Sequence, residues 1–392
     1  MTDMFEVWDR HIHAFVAVSD APAQAGPLGD VSVGVKDIID VAGLPTKNGS
    51  LTYADALAAD CDATVVRRLR DAGARIVGKT TTTEFAFTDP TPCRNPHVLA
   101  RSPGGSSSGS GAAVGAGIVD IALGTQTAGS LIRPAAYCGA VGFKPSAGLL
   151  PLDGVTPLAR SFDTVGIIAR TVGLARRAFD VIAPPAQTGD LRGANVVCGL
   201  WDTQVEVAPD WMQAMRAAQD SLSCVVSLTV CDLVADVGRV VDAHRTVMCA
   251  EAFATHHAML DGDTAQMLKP KFRMGLEAGR AVSPAALRQA RGLLTGACAA
   301  FWDNMADTDL ILTLPVPEGA PLLDDTTGFQ DWLTSWTVFG GPLVCVPWGV
   351  DALSRPRSVM LAAHPGQDAR VLSAAAYLEQ HAPLVPAPQT PR

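Results

Sequence analysis

The stretch Gly104-Gly105-Ser106-Ser107-Ser108-Gly109-Ser110-Gly111 opens a compact unit that decides the fold of this chain. A small-residue segment and a short apolar segment follow over residues 112–124, and a second run, Thr127-Ala128-Gly129-Ser130, comes shortly after. A glycine–serine linker would lead into a change of composition or a new domain, and this run does not. The pattern therefore predicts a serine-rich loop, a helix, a strand and a serine-bearing turn that pack together.

Strand and helix patterns alternate around this unit. Residues 31–36 alternate valine with other residues, which predicts a strand that ends at Lys36. Residues 62–72 predict an amphipathic helix with Asp62 as its N-cap and Gly73 as its stop. Residues 74–77 predict the next strand. Helices and apolar strands that alternate in this way favour an α/β fold.

The rest of the chain predicts one domain over residues 1–382, with a core at 30–170. Residues 205–305 have helical patterns, whereas 309–314 and 342–347 resemble buried strands. The predicted closing helix spans residues 367–380. The tail, residues 383–392, contains four prolines and is expected to be disordered.

Composition excludes several classes of function. The 392-residue chain has a net charge of −9 and no basic run, so nucleic acid is not an expected partner. Its N-terminus is acidic, and no stretch of 18 residues is purely apolar, which argues against a secretion signal and a membrane span. Its nine cysteines form no CxxC pair and fit reduced thiols. These features favour a cytoplasmic location.

Two short motifs have unsuitable contexts. Residues 73–80 match the phosphate-loop pattern GxxxxGK[ST], but a predicted helix precedes Gly73 and a predicted strand follows it, the reverse of the order that phosphate binding needs. Cys93 and His97 are four residues apart, and no second pair with ligand spacing accompanies them. We therefore expect no nucleotide, metal or other cofactor.

Lys36 is the best candidate for a catalytic base. A serine hydroxyl is a poor nucleophile until a base removes its proton, and burial can keep a lysine neutral enough to act as that base. Lys36 ends a valine-rich strand and is followed by Asp37-Ile38-Ile39. The alternative is a strand-end lysine that reaches solvent.

The run 127–130 offers successive backbone amides with little side-chain bulk. Such a turn can direct several N–H groups at one oxygen, as an oxyanion hole requires, although an ordinary tight turn before Pro134 would have the same composition. No histidine lies in either serine run, and no G-x-S-x-G elbow surrounds Ser130. This weakens a Ser-His-Asp triad without excluding one that forms in space.

These residues together resemble the amidase signature family of serine hydrolases. The resemblance covers residues 30–170 well and the remainder thinly. It rests on the following segments: Gly34-Val35-Lys36-Asp37, Gly78-Lys79-Thr80, Ser102–Ser107, Leu123–Ser130, Arg133–Ala136 and Cys138–Pro145. The family fold that it implies is a large twisted mixed β-sheet with helices on both faces.

The resemblance also implies a Ser-cisSer-Lys triad. Ser130 would be the nucleophile, Ser106 the bridging serine behind a cis Gly105–Ser106 peptide, and Lys36 the base. Ser107 would support the network by hydrogen bonding. The oxyanion hole would be formed by the backbone amides of four residues: Thr127, Ala128, Gly129 and Ser130.

The resemblance implies an amidase that cleaves linear amides through an acyl-enzyme, with a small-molecule amide and water as its reactants. Arg133 follows the nucleophile by three residues, and some family members that act on carboxylated amides have arginine there. An arginine near a helix start can equally have a structural role. The alternative function is an amidotransferase-type subunit that works with a partner protein, and a homodimer also stays open. The departures from the family are Ser108 and Ala128, where glycine is common, and a short middle and C-terminal region.

Overall fold

The computed structural model describes residues 2–183, 189, 191–201, 203–323 and 326–391. Within these residues the strands form one eleven-stranded sheet in the order β1-β3-β2-β4-β6-β5-β10-β11-β9-β7-β8. The strands are β1 (Phe15–Val18), β2 (Ser32–Lys36), β3 (Arg75–Thr80), β4 (Ile121–Gln126), β5 (Val141–Lys144), β6 (Thr164–Ala169), β7 (Asn195–Cys198), β8 (Ser227–Val230), β9 (Leu310–Thr313), β10 (Leu343–Val350) and β11 (Pro356–Ala362).

The sheet is mixed. β2 pairs in parallel with β3 and β4, and β7 pairs in parallel with β8 and β9, while the strands between these two groups are antiparallel. The central strands β4, β5 and β6 are buried along their whole length. Strands buried on both faces need cover on both faces, which confirms the α/β architecture of a large mixed sheet between helices.

Nine of the twelve helices that the structure describes fall into three groups. The twelve are α1 (Thr2–Ile12), α2 (Thr64–Asp71), α3 (Ser108–Gly115), α4 (Ile132–Tyr137), α5 (Val172–Ile182), α6 (Pro209–Ser223), α7 (Val237–His256), α8 (Thr264–Met267), α9 (Pro270–Ala281), α10 (Pro284–Asn304), α11 (Asp331–Val338) and α12 (Asp368–His381). α3 and α4 contact each other and the sheet, and α5, α6 and α12 pack on the sheet as a second group. α9, α10 and α11 all pack on α7, which is therefore the centre of the third group.

The predicted helix at 62–72 forms as α2, but the predicted N-cap is wrong. Ala63 occupies the cap position and provides no side-chain hydrogen bond. The Asp62 carboxylate instead accepts hydrogen bonds from Arg70, 2.7 Å away, and from the backbone N–H of Ala42, 2.8 Å away. A cation and a distant amide thus outcompete the local cap. The predicted stop is confirmed, because Gly73 follows the helix end with a φ of +96°.

Parallel pairing brings the two halves of the site together. Val35 on β2 lies opposite Leu123 on β4, so the carboxyl ends of both strands meet at one edge of the sheet. Lys36 is the last residue of β2, and the turn 127–130 follows β4 directly. α3 starts just after Ser106 and Ser107 and packs against both strands. One sheet edge therefore positions all three predicted triad residues.

Residues 383–391 have no regular secondary structure, and the first of them lie against the sheet. The backbone carbonyl of Pro383 accepts a hydrogen bond of 3.1 Å from Gly349 at the end of β10. Disorder of the whole tail remains a prediction. Among the described residues, no helix has the length and apolar character that a membrane crossing requires.

Candidate active site

Lys36 and Ser106 are in direct contact. Lys36 Nζ lies 2.6 Å from Ser106 Oγ and 2.7 Å from Thr125 Oγ1. Both Lys36 and Ser106 have no solvent exposure. The Gly105–Ser106 peptide bond is cis, as the resemblance implies. The alternative of a strand-end lysine that reaches solvent is wrong, because β2 ends inside the protein.

The surroundings of Lys36 favour its neutral form. Burial holds the pKa of the Lys36 amine well below its usual range, and the carboxylate of Asp163 opposes this shift only in part. A neutral amine keeps one lone pair while it donates two hydrogen bonds. Lys36 can therefore donate to Thr125 Oγ1 and accept the proton of Ser106 Oγ, the arrangement that a base needs.

Ser107 connects the two serine runs. Its backbone N–H donates to the carbonyl of Ser130 over 3.1 Å, and its hydroxyl lies 3.3 Å from both the N–H and the carbonyl of Thr125. Ser130 itself is 6% exposed, and its hydroxyl has no hydrogen-bond partner among the residues that the structure describes. The candidate nucleophile is therefore held through its backbone rather than through its hydroxyl.

All four backbone carbonyls of the turn 127–130 accept hydrogen bonds. The Thr127 carbonyl accepts from His244 Nε2 over 2.8 Å, and the Ala128 carbonyl accepts from Thr337 Oγ1. The Gly129 and Ser130 carbonyls each accept over 3.1 Å from the backbone N–H groups of Arg133 and Ser107.

The N–H groups of the same turn are unoccupied. Those of Thr127, Ala128, Gly129 and Ser130 donate to no acceptor in the described part of the chain. Buried backbone donors are rarely left without a partner. Four adjacent free donors beside a buried serine are suited to an oxygen atom that develops negative charge.

Asp163 anchors the turn from the other side. Its Oδ1 accepts from Thr127 Oγ1 over 2.6 Å, and its Oδ2 accepts from the backbone N–H groups of Leu158 and Ala159 over 2.9 and 3.0 Å. Burial raises the pKa of this carboxyl to about 6, although its hydrogen bonds to Thr127, Leu158 and Ala159 oppose that shift. The carboxylate is therefore charged at neutral pH and holds Thr127 in place.

Arg133 is buried and bonded to protein oxygens. One terminal nitrogen donates to Gly105 O and Thr327 Oγ1 over 2.7 and 3.0 Å. The other donates to the carbonyls of Gly328 and Phe329 and to Gln330 Oε1 over 2.9, 3.3 and 3.2 Å. Only Nε lacks a partner among the described residues. Arg133 thus ties the Gly105 loop to the segment 327–330.

A cavity of about 490 Å³ is lined on one side by residues 326–331. Its wall lies against the Gly105 loop and the turn 127–130, since a methyl group placed on Gly105 would meet Thr327 Cγ2 at 2.7 Å, and one placed on Gly129 would meet Gln330 Cβ at 3.6 Å. The other side is formed by apolar and basic side chains from three further segments. They include Phe87, Met248, Met274, Arg245 and Lys271.

The structure also shows residues that the sequence did not reveal as functional. Thr125 lies in a segment that carries the resemblance and Asp163 lies within residues 30–170, but nothing in their residue type indicated a role. His244 and Thr337 contact the turn from 117 and 209 residues away along the chain. No local pattern marks such contacts, so only the folded structure identifies them.

The two excluded motifs have structural roles. Residues 75–80 of the phosphate-loop-like segment form β3, and Lys79 Nζ pairs with Asp37 Oδ1 at 3.1 Å in the interior. His97 Nε2 lies 3.1 Å from the carbonyl of Cys138. Over the described ranges, the acidic, histidine and cysteine side chains form no group of three that could hold a metal ion.

Comparison with known proteins places these observations in a family. The protein-family model described as Amidase matches residues 8–372. A glutamyl-tRNA(Gln) amidotransferase subunit from Anaeromyxobacter sp. (strain K) is 32% identical over 453 aligned residues, which cover 98% of this chain and 92% of that protein. The corresponding subunit from Natronomonas pharaonis is 49% identical over 168 residues, which cover 41% of this chain and 40% of that protein. A crystal structure of amidase superposes with a TM-score of 0.85 at 26% identity, and the match covers 97% of this chain and 94% of that one.

Proposed function

The chain belongs to the amidase family, and from this premise we propose that it hydrolyses the C–N bond of a small amide as the catalytic subunit of an amidotransferase-type assembly. The observation that carries the chemistry is the buried Lys36–Ser106 pair beside a turn with four free N–H groups. Base and oxyanion donors are the two elements that an activated serine nucleophile requires.

In the proposed first half-reaction, Ser130 turns toward Ser106 and attacks the amide carbonyl. Its proton passes to Ser106, whose own proton passes to neutral Lys36. The carbonyl oxygen becomes an oxyanion that the N–H groups of the turn, from Thr127 to Ser130, stabilise. The proton then returns by the same route to the leaving nitrogen, so the C–N bond breaks, ammonia leaves and Ser130 carries the acyl group.

In the second half-reaction, water attacks the acyl-enzyme. Ser106 and Lys36 accept one proton of the water, and the oxyanion forms again in the same turn. Its collapse breaks the ester bond and returns the proton to Ser130. The products are the carboxylic acid and the regenerated enzyme, and atoms balance against one amide and one water.

The cavity supports an amide that carries a carboxylate. Arg245 of α7 places positive charge on its lining. Arg133 makes no direct contact with the substrate in this proposal, because its terminal nitrogens already bond to the cavity wall. The substrate carboxylate would therefore face the side of the cavity formed by α7.

A partner protein is proposed from the relatives. The relative that covers nearly the whole chain belongs to an amidotransferase of more than one subunit, which supports a similar role here. A stand-alone amidase is the second candidate, and the superposition on a crystal structure of amidase favours it. The two candidates share the same chemistry and differ in what happens to the ammonia.

Ammonia release tests the chemistry. Succinamate and butyramide form a matched pair of amides with and without a carboxylate, and hydroxylamine would trap the acyl-enzyme as a hydroxamate. We expect Ser130→Ala and Lys36→Ala to abolish both signals. Ser110→Ala is the matched control, because Ser110 is an equally buried serine of α3 that bonds to Thr80 and Leu123 instead. Ammonia release that persists in either triad variant overturns the assignment.

The role within an assembly needs a separate measurement. The chain with an affinity tag would be isolated from its native host, and its rate of ammonia release compared with that of the chain produced alone. A tenfold higher rate in the isolated complex, with the nitrogen transferred to an acceptor, supports the amidotransferase assembly. Recovery of the chain without a partner and with an unchanged rate supports the stand-alone amidase.

A further inference from the structure

We propose that His244 and Thr337 are positioning residues that direct the N–H groups of the turn 127–130 toward the reacting oxygen. The inference rests on the proposed amide hydrolysis and adds two residues to it. Neither residue belongs to the triad, and both lie far from residues 30–170 in sequence. Both act on the backbone carbonyls of the turn, so their effect on the reaction is indirect.

The argument starts from the planarity of the peptide bond. In a trans peptide, the carbonyl and the N–H of the following residue point in opposite directions. A hydrogen bond that fixes the Thr127 carbonyl therefore also fixes the direction of the Ala128 N–H. A hydrogen bond to the Ala128 carbonyl likewise fixes the Gly129 N–H. His244 and Thr337 hold these two carbonyls.

His244 is well suited to hold a carbonyl. Its Nε2 lies 2.8 Å from Thr127 O, so Nε2 must carry the proton, because a carbonyl can only accept. The side chain is buried, and its ring packs on Phe162 with the centroids 4.3 Å apart. Burial lowers the pKa of His244 to about 4, so the imidazole is neutral at physiological pH. Ring packing and tautomer together leave the donor one orientation.

Thr337 belongs to a small network around the turn. Its hydroxyl contacts the carbonyls of Ala128 and Leu333, and it accepts a hydrogen bond of 3.0 Å from Gln126 Nε2. The Oε1 of the same glutamine accepts from the N–H groups of Leu131 and Ile132, both over 3.1 Å. The turn is thus held at its start, at its middle and at the beginning of α4.

These two contacts come from outside the catalytic strands. His244 lies in α7, and Thr337 lies in α11. Asp163 already fixes the side chain of Thr127, so His244 completes the restraint by fixing its carbonyl. The third group of helices, which is centred on α7, therefore contributes to the rate of hydrolysis as well as to the shape of the cavity.

The test compares variants that differ only in the donor. His244→Phe keeps an aromatic ring against Phe162 and removes the N–H, whereas His244→Gln retains an N–H donor. Thr337→Val and Thr337→Ser form the corresponding pair for the hydroxyl. The measured quantities are kcat and KM for amide hydrolysis and the melting temperature of each variant.

We expect His244→Phe and Thr337→Val each to lower kcat by about 10- to 100-fold, since loss of one oxyanion donor costs on the order of 100- to 1,000-fold and misalignment costs less. KM should stay within about threefold, and His244→Gln and Thr337→Ser should recover most of kcat. A purely structural role would lower stability without this split between kcat and KM.

Two results would overturn the inference. One is a kcat within about threefold of the parent in both His244→Phe and Thr337→Val. The other is a loss of kcat that the donor-retaining variants reproduce in full. The Ser130→Ala variant is measured alongside. If it remains active, the proposed function fails; if it is inactive while the two donor-free variants keep full activity, only the positioning inference fails.

Discussion

Arg133→Met tests whether Arg133 holds the cavity wall or contacts the substrate. Arg133 is 1% exposed and has five hydrogen bonds to oxygens of the Gly105 loop and of residues 327–330. Burial lowers the pKa of its guanidinium only to about 10, so it stays charged at neutral pH. Methionine would fill much of the volume and leave every one of those acceptors without its donor.

The expected magnitude follows from this network. Removal of one partner from a buried charged network costs about 3–5 kcal/mol. A chain of 392 residues has an unfolding entropy of about 0.8 kcal/mol per kelvin at the melting temperature, from about 2.1 cal/mol/K per residue. The melting temperature should therefore fall by about 4–6 °C. Arg133→Lys should recover part of this loss, because one ammonium can reach only some of the five acceptors.

The assay is differential scanning calorimetry together with the kinetics of succinamate and butyramide hydrolysis. Because the wall supports the Gly105 loop, kcat/KM should fall by a similar factor for both substrates. An unchanged melting temperature, with a rise in KM for succinamate alone, would refute this reasoning. That result would show that Arg133 contacts the substrate carboxylate, which is the role that the sequence resemblance suggested.

Three further predictions follow from buried groups. The rate at which phenylmethylsulfonyl fluoride inactivates Ser130 should rise with pH to a midpoint well below 10.5, because burial lowers the pKa of Lys36; a midpoint near 10.5 contradicts a neutral base. Lys144→Met should raise the free energy of unfolding at pH 7 by about 3 kcal/mol, measured by thermal or urea unfolding. The reason is that burial lowers the pKa of Lys144 from 10.5 to about 7, and the lost hydrogen bond to Pro145 O offsets about 1 kcal/mol of the gain. The unfolded state binds the extra proton, so this gain should shrink as the pH rises from 7 to 10.5, and a pH-independent gain would exclude the linkage. Thr125→Val should lower kcat about tenfold with little change in KM, since Lys36 loses one of its two partners; Thr125→Ser is the control, and equal losses in both would point to packing instead.

The local patterns predicted much of the core correctly. The valine alternation before Lys36 and the apolar segment before Thr127 form β2 and β4, and their parallel pairing brings Lys36 to the serine-rich loop. Short-range signals suffice there, because each element is specified by its own residues. The resemblance added the cis peptide at Gly105–Ser106, which spacing alone does not indicate.

The sequence did not predict the long-range contacts. Asp62 has the residue type of an N-cap, but its carboxylate binds Arg70 and a distant amide, so tertiary contacts override the local preference. His244 gave no signal, because a single histidine in a helix has no pattern of its own. Its role depends on the carbonyl that the fold brings to it.

The contacts of α7 and α11 with the turn also limit how this protein can be re-engineered. Helical regions around a shared sheet are often treated as interchangeable cassettes that set specificity. Here one such cassette carries His244, which bonds to the backbone of the turn that contains Ser130. An exchange of residues 237–256 between relatives would therefore change a contact of the proposed oxyanion turn together with the lining of the cavity, so a recombination boundary at this helix would pass through the candidate active site.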